Sequence, residues 1–247
     1  VASGQSALSS TPLLQRLRDR FRITVQLSDT DVEAVTRKVL LQKKPSAVAV
    51  VRDVLARNAG EVSKHLHGTR IAERVEDQQT AEADYPLLPT RRRFWEECFK
   101  RIDTSGTHGQ LRSQLRILHD ALHAIASKAV GAVIPTDALF DAIAPDLTNS
   151  SVLLKELATS IRQLDDGTPQ GKLRYRICAL AFLINKLPRE ASVDTGVRAS
   201  ASTIADLLVD DLEHDSATLR NDVERELDEG TVATLMVYVR HFEAFFR

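Results

Sequence analysis

The stretch LRSQLRILHDALHAIASKA, Leu111 to Ala129, decides the fold class. Its aliphatic positions Leu111, Leu115, Leu118, Leu122, Ile125 and Ala129 alternate at spacings of four and three. They therefore share one face of a helix and predict a buried stripe along it. The same period extends outward. In SDTDVEAVTRKVLLQ, residues 28–42, Val32, Val35, Val39 and Leu40 follow Ser28, a natural N-cap. Residues 45–66 continue helically, and further helices fit 136–144, 150–164 and 172–187. In DYPLLPTRRRFWEECFKRID, residues 84–103, Pro86 and Pro89 delay a regular helix until about Thr90. The acid-rich run Glu73 to Asp84 has no aromatic and reads as a loop. Strand signals are confined to RITVQL, 22–27, and TVATLMVYV, 231–239, and the second fits a helix equally. The expected fold is mainly α.

Composition narrows the class further. The 247 residues are 43% hydrophobic and 27% charged, ordinary usage for a globular chain and against disorder. No apolar run approaches the roughly 18 residues of a membrane span. Lys plus Arg (33) nearly cancels Asp plus Glu (34), which excludes a uniformly basic nucleic-acid coat. The balance hides an asymmetry: residues 1–71 carry a net +6 and residues 200–229 a net −8, suggesting two surfaces with different partners. The two cysteines, Cys98 and Cys178, sit in apolar-patterned segments and read as reduced core thiols of a cytoplasmic protein.

Short motifs carry little chemistry. GTPQGKLR, Gly167 to Arg174, has three residues between its glycines and Leu173 after the lysine. A phosphate loop needs four, then a hydroxyl for Mg²⁺, so this segment reads as a linker. HDALH, His119 to His123, spaces two imidazoles at i and i+4 but lacks the glutamate and third ligand of a zinc-protease helix. It reads as exposed helix histidines. His65 and His67, two apart, do not share a helix face. No nucleophile elbow or Cys/His protease signature occurs.

The first forty residues, VASGQSALSSTPLLQRLRDRFRITVQLSDTDVEAVTRKVL, resemble the later half of an AAA+ ATPase core. The resemblance implies a sensor strand ending near Ser3 and Gln5, then an L-x-x-R-F helix, a last strand, and an acidic cap opening a helical lid. Arg20 stands where such a helix offers an arginine to a neighbouring subunit's nucleotide, with Arg16 and Arg18 as local alternatives. In TSGTHGQLRSQL, residues 104–115, Arg112 matches the lid arginine that turns back to bound nucleotide; an ordinary surface arginine is the other reading.

Longer strings resemble, in order, the P-loop ATPases of BREX bacteriophage-exclusion systems, the BrxC family and its PglY relatives. They are DYPLLPTRRRFWEECFKRID, GTHGQLRSQLRILHDAL, IAPDLTNSSVLLKEL, RQLDDGTPQGKLRYRICALAFLINKLPRE and GVRASASTIADLLVDDL. The resemblance implies an oligomeric antiviral ATPase working with other BREX proteins, using ATP and Mg²⁺. Its phosphate loop and acidic strand would lie upstream of Val1, so this piece alone should bind neither and turn over no ATP. The implied domains are the end of an AAA+ core at 1–27, a helical lid at 28–130 and a helical, winged-helix-like domain at 131–247. The alternative is a non-enzymatic helical or winged-helix adaptor, or a DNA-binding module.

For that last region the resemblance suggests three helices, beginning at Arg174, Ser202 and Ser216, and a strand pair for which DEGTVATLMVYVRHFEAFFR is short. From Asp215 to Glu229 six acids face Arg220 and Arg225, a net −4 where a DNA-reading helix needs cations. Protein docking is the expected role there. Arg91, Arg92 and Arg93 form the better electrostatic candidate for nucleic acid.

Overall fold

The computed structural model describes residues 29–102, 111–228 and 232. The strand signals at 22–27 and 231–239, apart from Val232, fall outside those residues. The chain divides into two compact units, residues 1–36 and 37–247. The described residues form eleven helices. These are α1 (Asp29–Val39), α2 (Pro45–Arg57), α3 (Ala59–Lys64), α4 (Val75–Asp84), α5 (Pro89–Ile102), α6 (Leu111–Ile125), α7 (Ala138–Asn149), α8 (Lys155–Gln163), α9 (Pro169–Lys186), α10 (Ala201–Leu208) and α11 (Ser216–Asp228). No strand occurs among the described residues, only isolated bridges. The protein is mainly α.

The second unit is built around α9. Pro169 opens it, and the Thr168 hydroxyl caps it by accepting the Gly171 amide at 3.0 Å. Every residue from Ile177 to Ile184 is buried. A helix apolar on all sides needs neighbours all round, and α9 packs against α5, α7, α8, α10 and α11. Helix α5 offers Phe94, Trp95, Cys98, Phe99 and Ile102, spaced for one face, to the same core. That core takes side chains from both sides of residue 130.

Segment 131–136 is largely buried, with Ile134 in this core, and is bonded along both edges. Val133 and Thr136 donate to the carbonyls of Asp210 and Leu207, and Leu212 donates back to Gly131. Ile134 donates to the Pro86 carbonyl on the other side. A buried extended strip of backbone is tolerated because its polar groups are paired in this way.

Three sequence expectations are corrected. Residues 75–84 are a helix, not a loop. Glu, Gln and Ala are good helix formers, and the Asp77 carboxylate accepts the Arg74 amide at 2.8 Å to finish the first turn. Helix α4 shows no apolar stripe because it buries the carboxylates of Asp77 and Asp84. The linker assigned to 167–174 shrinks to a turn, since α9 starts at Pro169. The stripe of α6 places Leu118, Leu122 and Ile125 against the core, but Ile117 is buried beside Leu118, and Ala129 is exposed beyond the helix end. A globular core takes a band wider than a four-three seam, which explains Ile117.

Candidate functional site

The residues assigned to nucleotide chemistry are not brought together among the described residues. Arg20 and Gln5, with Ser3, Arg16 and Arg18, lie outside them. Arg112 stands exposed on the first turn of α6. His119 and His123 are exposed with their rings stacked 6.4 Å apart. Cys98 and Cys178 are buried free thiols, and burial raises the pKa of both.

In the arginine triplet, two of the three members point inward. Arg91 is fully buried and donates to the carbonyls of Ile134, at 2.7 Å, and Asp206, at 3.3 Å. Arg93 forms a two-pronged pair with Asp77, at 2.8 and 2.6 Å, and also donates to the Ile71 and Ala72 carbonyls. Arg92 lies 3.8 Å from Glu96 one turn on. Successive helix positions point about 100° apart, so three adjacent arginines cannot share one outward face.

Arg91 leads to a polar cluster at the junction of α3, α5, α10 and α11. Glu61 on α3 and His65 at its C-cap are one turn apart; Asp206 projects from α10 and Arg220 from α11. One terminal nitrogen of Arg220, Nη2, donates to Glu61 Oε1 at 2.8 Å and to Asp206 Oδ1 at 2.9 Å. The His65 ring is completely buried, its Nε2 4.0 Å from Glu61 Oε1, and neither ring nitrogen has a hydrogen-bond partner. Burial, and after it the charges of Arg91, Arg220 and Lys64, push its pKa down to about 2 and hold the imidazole neutral. Burial also pushes Asp206 upward, against the pull of Arg220. Glu61 ends below its usual value: burial raises it, but Ser216, Lys64 and Arg220 together outweigh that.

Neighbouring pairs extend this network. Arg176 on α9 grips Asp137 through two nitrogens, at 2.8 and 3.2 Å, and donates to the Leu208 carbonyl at 2.7 Å. Arg174 donates to the fully buried Glu226 at 2.5 Å. The Trp95 indole donates to the Thr136 carbonyl at 3.0 Å. These bonds join α5, α9, α10 and α11 through polar groups within an apolar core.

Sequence reasoning passed over Glu61 and Asp206. The i, i+4 pairing of Glu61 with His65 was there to be read, but Asp206 lies far along the chain and joins them only through packing. Donor atoms of Glu61, His65 and Asp206 lie within 4.8 Å of one another, a grouping with metal-ligand chemistry. No known protein-family model matches the chain, and no solved structure matches it. Among the described residues, no helix is long and apolar enough to cross a membrane.

Proposed function

We propose that the chain is the sensor-strand end, lid and winged-helix-like part of a BREX-type AAA+ ATPase, in which ATP binding and hydrolysis are coupled to assembly of a phage-defence complex. The ordered strings from residue 84 to residue 212 suggest it. The structural observation that supports it most is the polar tie between two helical groups. Arg91 and Arg220 join α3 and α5, on the side of the candidate lid, to the mutually packed α9, α10 and α11. A displacement of the first group would be passed to the second through these bonds.

In this reading Arg20 meets charge developing on the nucleotide of a neighbouring subunit, Gln5 senses the terminal phosphate, and Arg112 closes onto the same subunit's nucleotide. ATP and Mg²⁺ would be held mainly by segments upstream of Val1. The full-length protein would act in the cytoplasm as a homo-oligomer with other BREX proteins. The acidic α11 would dock protein, since Arg220 is already shared between two carboxylates.

The test is Arg20→Ala in the full-length protein. A trans-acting arginine contributes about 10³–10⁵ in rate and little to ground-state binding. ATPase activity should fall by that order while nucleotide binding persists, and Arg112→Ala should instead weaken binding. An Arg20→Ala enzyme that turns over ATP at the parent rate would remove the assignment. An upstream sequence without a phosphate loop would leave the adaptor reading.

A further inference from the structure

We propose that Glu61, His65 and Asp206 form a binding site for a divalent transition-metal ion of the zinc type, and that Arg220 is a latch which the ion displaces. Three observations carry this, and none depends on the ATPase reading.

The first is the imidazole. His65 is completely buried with both ring nitrogens unpartnered. A buried polar group left without a partner has given up its hydration with nothing in return. Folding has placed an imidazole beside two carboxylates and given it no hydrogen bond. Arg220 does not relieve this, since its nitrogens are bonded to Glu61 and Asp206 instead.

The second is spacing. Zinc binds histidine nitrogen and carboxylate oxygen at about 2.0–2.2 Å, which in a tetrahedron separates neighbouring donors by about 3.4 Å. Here the donor atoms lie within 4.8 Å of one another, and the Glu61–His65 pair is already at 4.0 Å. Closure by about 1.4 Å at most brings them to bonding distance, leaving the fourth position to water. A ligand set that includes imidazole suits zinc, copper and nickel over Mg²⁺ or Ca²⁺.

The third is what stands there now. Arg220 Nη2 sits 2.8 and 2.9 Å from oxygens on two different helices, in the place where these carboxylates demand positive charge. Its side chain is 32% exposed and has solvent to swing into. A divalent ion would bring more charge to both oxygens and would also bond the imidazole. Lys64, 3.2 Å from the other Glu61 oxygen, and Arg91, which also feels Asp137 and Asp210, oppose the incoming charge and moderate affinity. Binding would clamp α3 to α10 and release the tie that Arg220 on α11 makes to both.

The experiment is Zn²⁺ titration of the metal-free chain by chelator competition, with Co²⁺ absorption to read coordination geometry. One ion should bind, and Co²⁺ should show tetrahedral bands. Arg220→Gln, which removes the competitor and every ligand interaction it makes, should tighten binding about tenfold. His65→Gln and Asp206→Asn should each weaken it by about 100-fold. The paired substitution His119→Ala with His123→Ala should leave binding intact. Because Arg220→Gln predicts a gain, it stays decisive even if a core variant fails to fold. No binding by Arg220→Gln, or binding lost only when His119 and His123 are replaced, would overturn the proposal.

Discussion

Arg91 and Arg93, two residues apart on α5, bury their charges differently. Arg91 spends its bonds on main-chain carbonyls, so burial is only partly offset by Asp137 and its pKa is pushed down to about 10, still charged at neutral pH. Arg93 faces a carboxylate squarely. Burial alone would raise Asp77, but the Arg93 guanidinium and the Arg74 amide more than reverse this, and the carboxyl ends below its ordinary value of 3.8. A carboxyl lowered on folding adds stability that is present above 3.8 and lost as pH falls through the lower folded value. Breaking one partner of a buried pair costs on the order of 3 kcal/mol. Asp77→Asn should therefore lose about that much at pH 7 in denaturant titrations, and its stability should fall less steeply than the parent's below pH 4. Parallel curves for the two proteins would show that Asp77 is not ionised in the way this geometry requires.

At the scale of the element, segment 131–136 has no helix or strand of its own yet serves as the seam of the second unit. Gly131 makes the approach possible. Its φ is +123°, and a Cβ there would lie 2.9 Å from Asp211 Oδ1 and 2.9 Å from Glu213 Cγ. Its amide donates to the Tyr85 hydroxyl at 2.8 Å. Gly131→Ala should cost about 1–3 kcal/mol, seen as a lowered melting temperature. Gly60, inside α3 with nothing near its missing Cβ, is the control. Gly60→Ala should gain up to about 1 kcal/mol from helix propensity. Equal effects at both glycines would contradict the seam.

For the whole molecule, the charge asymmetry of the sequence becomes a question of which charges are spent. Of the two arginines in the acidic stretch, Arg220 is held by Glu61 and Asp206, and Arg225 by Asp222. DNA affinity follows the number of phosphates a protein can neutralise, and this end of the chain has no cation to spare among its described residues. Helix α11 should add nothing to duplex DNA binding, so Arg220→Glu should leave a gel shift at about 0.15 M salt unchanged. Sub-micromolar binding that Arg220→Glu weakens would restore a DNA-reading role for α11.

The sequence by itself determined the helical class, a helix over 172–187 and the buried cysteines, because apolar periodicity and capping residues act over one or two turns and can be read locally. It was misleading where a helix buries something other than hydrocarbon: α4 hides carboxylates, so it showed no stripe and looked like a loop. It was misleading again at Arg91–Arg93, where a run of like charge suggested a surface. Only the tertiary structure decided that Asp77, Asp84 and Asp206 would each meet an arginine from a distant segment. It alone decided that His65 would be buried beside two acids. Long-range pairing depends on where helices end up in space, and a charged residue's spacing along the chain does not record whether its partner will be water, a carbonyl or a carboxylate.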